Sequence, residues 1–421
     1  MEKIYTEITK CRLCKQSELI SILHLGDIKL SGIFPKPDEP IDGGPLELVY
    51  CTNCSLVQLK QSYNPTSMYG MNYGYKSSLN RSMLTHLFQK VRWLEKLTNA
   101  ESGDVVLDIG SNDGSMLSMY NPKFKLIGMD PTGVKFKNSY RSDITLVPDF
   151  FSAKTFQQHF PEKKPMIITS IAMLYDLEDP VQFFKEVASI LHPNGVWHIE
   201  QSYLPLMLSE NAYDTVCHEH IEYYGLKQIQ IMATLANLKI INVDLNRVNG
   251  GSFHVTMTHA SNSSKTENVP TWISRMEAEN NLSNLSTYTT FKENVESSAR
   301  EIKKLLQDLK EQGKKVFGYG ASTKGNVLLQ YCGLTKEEIP MFAEVNPDKF
   351  GCVTPGTNIP IVSEEEARSH NPDYFIVLPW HFRDNIIGRE KEYLMNGGKL
   401  IFPLPKLEIV DSSIFNQRNY V

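Results

Sequence analysis

The chain has 421 residues, with 41% hydrophobic, 22% charged and 10% aromatic side chains, the balance of a folded protein rather than of a disordered, collagen-like or coiled-coil one. At about 150 residues per domain this length allows roughly three domains. The net charge of -5, from 43 Lys and Arg against 48 Asp and Glu, offers no basic excess to a phosphate backbone, so nucleic acid is not an expected partner.

At the N-terminus, MEKIYTEITKCRLC lacks the apolar core of a signal peptide, and no apolar run approaches the roughly 18–20 residues that span a bilayer. The expectation is a cytoplasmic protein without a membrane partner. Residues 1–75 are rich in Gly, Pro and Asp, as in GDIKLSGIFPKPDEPIDGGPLE, and read as short strands and turns too poor in core to hold themselves together by burial alone. Two Cys-x-x-Cys pairs, Cys11 with Cys14 and Cys51 with Cys54, supply a staple: in a reducing compartment four thiolates suit tetrahedral Zn²⁺. Disulfides and unliganded thiols are the alternatives. Four thiolates leave no open position to activate water, so such a zinc is structural.

From about residue 79 the pattern becomes an amphipathic helix, with Met83, Leu87, Val91, Leu94 and Leu97 on one face. Short apolar runs then alternate with helical stretches: VVLDIG (105–110), KLIGMD (125–130), MIITSIA (166–172) and VWHIEQ (196–201). Such alternation predicts a parallel, doubly wound sheet. The first run enters DIGSNDG, with Asp108, Gly110, Asn112 and Gly114, and Asp130 follows 22 residues after Asp108. The glycines let backbone approach a ligand, and the second acid can bind ribose hydroxyls. The spacing is not the G-x-G-x-x-G of dinucleotide proteins, so a nucleoside without pyrophosphate, such as S-adenosylmethionine, fits better. Asp149, after a third short strand, could accept from an adenine amino group.

CHEHIEYYG (217–225) gathers two histidines, two glutamates and two tyrosines. This suits a general base with an orienting carboxylate. A metal pair is disfavoured because His218 and His220 are two residues apart, not three or four; an ordinary loop histidine is the other alternative. After HASNSSKTENVP, the best linker in the chain, a long helix carries Phe291, Val295, Ala299, Ile302, Leu305, Leu306 and Leu309 as a packing face. A second alternation follows: KKVFGYGAS (314–322), IPMFAEV (339–345), YFIVLPW (374–380) and GKLIFPLP (398–405). In it, Ser322, Thr323 and Lys324 open a helix whose free N–H groups could hold phosphate oxygens; a tight turn with a solvated lysine is the alternative. The P-loop spacing is missing, which argues against nucleotide hydrolysis. The fold class is α/β in three parts: a zinc-binding domain (1–75), a Rossmann-like domain (76–258) and a second Rossmann-like domain (259–421).

With these features in this order, the chain resembles the sugar C-methyltransferase family, which acts on nucleotide-linked 4-keto-6-deoxyhexoses. The resemblance runs through the Cys-x-x-Cys pairs, NYGYKSS (72–78), DIGSNDG, PDFF, CHEH, NGGSFHV, GYGASTKG and NPDKFGCVTPGTNIPI. It implies a central S-adenosylmethionine domain and a C-terminal domain that helps hold the nucleotide sugar. It also implies methylation at C3 through an enolate, with His220 as the base, Glu219 as its neighbouring acid and Tyr73 in the active site, Tyr75 being close enough to share that part. The chain departs from some relatives at Ala172, Asp176 and Cys217, which bears on sugar contacts. The rival classes are a nucleotide-sugar oxidoreductase or dehydratase and a non-enzymatic zinc-containing adaptor. A monomer or weak oligomer is expected.

Overall fold

A computed structural model describes residues 4–68, 75–79, 81–266 and 269–416. The central sheet has seven strands, in the spatial order Leu238–Asn246, Ser252–His259, Val196–Ser202, Ile167–Ile171, Val105–Ile109, Lys125–Met129 and Ile144–Val147. All run parallel except Ser252–His259, which is antiparallel to both of its neighbours. Val105–Ile109 is buried along its whole length, which is why it reads as an apolar run interrupted only by Asp108 rather than as an alternating one.

The C-terminal sheet has six strands: Ile361–Ser363, Phe342–Glu344, Val316–Tyr319, Tyr374–Val377, Lys399–Phe402 and Glu408–Val410. Only the last is antiparallel. In both sheets the first strand lies beside the fourth, so strand order reverses there and a crevice opens beyond the strand ends.

The N-terminal sheet pairs Leu19–Lys29, Gly43–Cys51 and Val57–Leu59 antiparallel, and its fourth strand, Glu222–Tyr223, comes from the segment that follows His220. The expectation that a metal alone holds this region together is corrected here. Leu23, Leu46 and Leu48 share one core with Tyr213 and Val216, with Phe291 and Val295 of the helix Leu285–Glu311, and with the C-terminal strands. A sheet too small to bury its own apolar face borrows the surfaces of both larger units.

The expected helix faces form with small differences. In Arg81–Thr98, Met83, Leu87, Val91 and Leu94 are buried, whereas Leu97 in the last turn is 38% exposed. The long helix is capped by Asn284, whose side chain accepts from Ser286 N. The linker region contains an element the sequence reading missed, the helix Val269–Glu279, which packs on Leu226–Leu235 and Leu238–Asn246. Its Glu277 carboxylate accepts from the N–H groups of Leu226 and Lys227, satisfying donors that a helix start leaves open. Among the described residues, no helix is long and apolar enough to cross a membrane.

Candidate active site

The four cysteines converge. Cys11 and Cys54 Sγ lie 3.6 Å apart and Cys14 and Cys51 Sγ 3.5 Å apart, and all four sulfurs fall within 4.8 Å of one another. A tetrahedron with Zn–S bonds of about 2.3 Å has edges of about 3.8 Å, so the set fits a zinc ion. The two turns are built alike: Lys15 N donates to Cys11 O and Ser55 N to Cys51 O, each at 2.9 Å, with φ of 60° at Lys15 and 62° at Ser55. Between the first pair, the buried Arg12 guanidinium donates to Leu59 O at 2.6 Å, Ser62 Oγ at 2.8 Å and Glu178 Oε2 at 3.2 Å. Glu178 in turn lines the main cavity.

That cavity, of about 540 Å³, is of a size usual for small-ligand sites, and both sheet crevices open into it. On the central side Gly110 (φ 77°) and Gly114 (φ 74°) turn the chain, and a Cβ at Gly114 would lie 2.8 Å from the Tyr140 ring. Tyr140 Oη pairs with Ser111 Oγ at 2.7 Å and donates to Asn112 O at 2.8 Å, which fixes the turn. Asp108 is buried and accepts from Thr169 Oγ1 at 2.5 Å; burial pushes its carboxyl up to about 7. Asp130 accepts from Asn112 N at 2.7 Å, Thr132 N at 2.6 Å and Thr132 Oγ1 at 2.5 Å. Three of its roughly four acceptor sites are thus already used, and one is left for a ribose hydroxyl. Asp108, Gly110, Asn112 and Asp130 line the cavity, and the residues present fit S-adenosylmethionine. Asp149 stands apart: its exposed carboxylate accepts from Phe150 N at 2.7 Å, and Phe150 and Phe151 face the cavity instead.

In the wall of the cavity, His220 Nδ1 lies 3.0 Å from Thr215 O. A carbonyl only accepts, so Nδ1 carries the proton and Nε2 keeps its lone pair. Burial, aided by the Lys324 charge, lowers the imidazole to about 3, so it is neutral at pH 7. Burial raises Glu219, whose Oε2 has no hydrogen-bond partner among the described residues. A Cβ on Gly32 would sit 2.3 Å from Glu219 Oε1 and 3.8 Å from the Thr323 methyl. Gly32, which sequence reading passed over as a loop residue, therefore lets three parts of the chain meet. His218 is structural: its Nε2 donates to Ile28 O at 3.1 Å and its ring packs edge-on against Tyr63.

On the C-terminal side, Ser322 Oγ accepts from Gly325 N at 3.1 Å and caps the helix Thr323–Tyr331, and Ser322, Thr323 and Lys324 line the cavity. Lys349 joins them and donates to Ala321 O at 2.7 Å. Tyr75 also lines the cavity, its carbonyl accepting from Asn112 Nδ2 at 3.2 Å; Tyr73 lies outside the described residues. Ala172, with φ of 54°, Asp176 and Cys217 line the same cavity as His220, whose ring packs on Tyr175.

Sequence reading also missed a buried polar cluster on the cavity's flank. Glu200 lies 2.6 Å from His86 Nε2 and 2.9 Å from Lys90 Nζ, and Lys90 donates to His254 Nδ1 as well. His198, Glu200 and His254 have the spacing of a metal site, but the Lys90 ammonium supplies the cation.

Three family models match the chain: a zinc binding domain over residues 11–69, a methyltransferase domain over 81–243 and a C-methyltransferase C-terminal domain over 247–405. The C-methyltransferase NovU of Streptomyces niveus is 28% identical over 418 residues, covering 98% of this chain and 99% of that one. Among solved structures, an S-adenosylmethionine-dependent methyltransferase from Clostridium acetobutylicum aligns at 14% identity with a TM-score of 0.33, over 42% of this chain and 92% of its own. The plantazolicin methyltransferase BpumL in complex with SAH aligns at 13% identity with a TM-score of 0.33, over 41% of this chain and 82% of its own.

Proposed function

We propose that this chain, which belongs to the C-methyltransferase family and depends on S-adenosylmethionine, methylates C3 of a nucleotide-linked 4-keto-6-deoxyhexose. The observation that carries this reading is His220: a neutral imidazole with Nε2 free, in one cavity with a nucleoside-binding turn and an anion-binding turn.

A ketone acidifies the carbon next to it, and His220 Nε2 takes the C3 proton while the electron pair moves onto the ketone oxygen. Glu219, the adjacent buried acid, helps position base and sugar, and a Tyr73 hydroxyl is a candidate donor to the oxygen. The helix start at Ser322 and Thr323 takes the diphosphate, with Lys324 a further substrate-binding group beside it and Tyr75 at the rim. Asp108, Gly110, Asn112, Gly114 and Asp130 hold the cofactor, and Asp149, whose Oδ1 accepts from Phe150 N, offers its other oxygen to an adenine amino group. When bound, S-adenosylmethionine would supply an electrophilic methyl group to C3, its sulfur leaving with the bonding pair. Cys11, Cys14, Cys51 and Cys54 would hold a zinc ion with four thiolates, which would leave it no open position for the substrate.

Incubation with a dTDP-4-keto-6-deoxyhexose and S-adenosylmethionine is the test, with a product about 14 mass units heavier expected from methyl-for-hydrogen exchange. No gain across several nucleotide sugars would sink the reading.

A further inference from the structure

The turn Tyr213–Thr215 does two things at once. Its Thr215 carbonyl fixes the tautomer of His220. Its Asp214 side chain, 1% exposed, accepts from Trp380 Nε1 at 2.8 Å through Oδ2, while Oδ1 has no hydrogen-bond partner among the described residues. The helix that begins Thr323, Lys324 packs on this turn. His381, next to Trp380, lines the same cavity as His220 and Lys324.

From this juxtaposition, and resting on the proposed function, we infer that Lys324 is a further catalytic residue, stabilising the enolate oxygen formed when His220 removes the C3 proton, and that Asp214 is its positioning residue. Lys324 lowers the affinity of both His220 and His381 for protons, so in the resting site it opposes imidazolium formation. That opposition is relieved when negative charge develops on the substrate between the two groups, which makes the interaction stronger in the transition state than in the ground state. A lysine serving only the diphosphate would gain nothing from sharing the cavity with the base and carrying its charge to it. Lys349, anchored on Ala321 O and 3.7 Å from Glu344, remains as the second cation of the anion-binding turn. The step balances: the C3–H bond breaks, the proton passes to Nε2, the electron pair rests on the ketone oxygen opposite the ammonium, and reversal returns a solvent-derived proton to C3.

That reversal is the assay. With dTDP-4-keto-6-deoxyglucose and S-adenosylhomocysteine in deuterium oxide, the unaltered enzyme should wash deuterium into C3, followed by proton NMR. Lys324→Met should lower the exchange rate at saturating sugar by about 10²–10³-fold, the usual cost of one lost oxyanion donor, with little change in KM. Lys324→Gln is the second variant should the first misfold, and Lys324→Arg should recover part of the rate. Asp214→Asn should lower the same rate, and the Asp214→Asn, Lys324→Met double variant should be no slower than Lys324→Met alone, as for residues acting through one another. A raised KM with unchanged saturating exchange in Lys324→Met would make Lys324 a diphosphate ligand and overturn the inference; additive losses in the double variant would remove Asp214 from it. Absence of exchange in the unaltered enzyme would overturn the proposed function and this inference with it.

Discussion

In the central sheet, the strand ends that face the cavity carry carboxyl groups, Asp108 in the first strand and Asp130 just after the second; in the C-terminal sheet, the turn beyond the first strand carries Lys324 with Lys349 beside it. The two sheets share a doubly wound plan and a strand-order reversal at the same place. Topology therefore decides where a ligand sits, and the side chains added at the strand ends decide its charge. The acidic crevice suits a ribose and a cationic sulfonium, the basic one an anionic diphosphate. His220 stands between them, where it can use what each holds.

The largest effect belongs to that midpoint. His220→Ala should lower methyl transfer and deuterium exchange together by about 10²–10⁴-fold, as expected for loss of a general base, with S-adenosylhomocysteine binding by calorimetry unchanged. Because His220 sits at about 3, exchange should show no acid limb near pH 6.5 and hold its rate down to the pH at which the chain unfolds. A limb near pH 6.5 that survives saturating S-adenosylhomocysteine and Asp108→Asn would mean that the imidazole is solvated in the working enzyme.

Next comes the flank of the acidic crevice. Lys90→Met leaves Glu200 buried with His86 alone, and should cost about 3–5 kcal/mol in urea unfolding at pH 7, as when one partner of a buried ion pair is removed. Burial raises the Glu200 carboxyl, but the His86 hydrogen bond and the Lys90 charge outweigh it and hold the group at about 2. Its stabilisation is therefore present above the unfolded value of about 4.3 and fades as pH falls toward 2. His254, lowered to about 4 by burial and by Lys90, loses stability as pH falls from about 6.5. Both depend on the Lys90 charge in the same direction, so the gap in unfolding free energy between the unaltered chain and Lys90→Met should narrow as pH falls below about 6.5.

The smallest effects should separate the two crevices. Gly114→Ala forces a Cβ onto the Tyr140 ring at positive φ, a strain of about 1–3 kcal/mol, and should weaken S-adenosylhomocysteine about tenfold or more while leaving dTDP binding alone. Ser322→Ala removes the cap from Gly325 N, worth about 1 kcal/mol, and should raise the KM for nucleotide sugar a few-fold without touching the cofactor. If each variant moved both affinities equally, the crevices would not be independent sites.

What the sequence made legible were features written locally. The glycine turn can be read because residues 110 and 114 need positive φ, and the long helix because Phe291, Val295, Ile302, Leu306 and Leu309 repeat at helical spacing. The cysteine pairs could be read because each knuckle is a short turn. The Glu200 cluster could not: its members come from one helix and two strands that are neighbours only after folding. Asp214 and Gly32 were hidden for the same reason, since their partners Trp380 and Glu219 lie 166 and 187 positions away. Phe150 and Phe151, which line the cavity beside Asp149, went unread because an apolar pair after a short strand looks the same whether it faces a core or a ligand.

The short strand Glu222–Tyr223, pairing with Val57–Leu59 two residues after His220, makes the N-terminal region a wall of the active site rather than an attachment to it. A recombinant chain begun at residue 76 would not be a smaller enzyme, because the hinge of its base would have lost the sheet it is stitched to. Nor could this zinc module be exchanged with a foreign one as a cassette. Shuffling experiments that respect the strand pairing, trading residues 1–75 together with the 217–225 segment, mark the smallest unit that can be inherited whole.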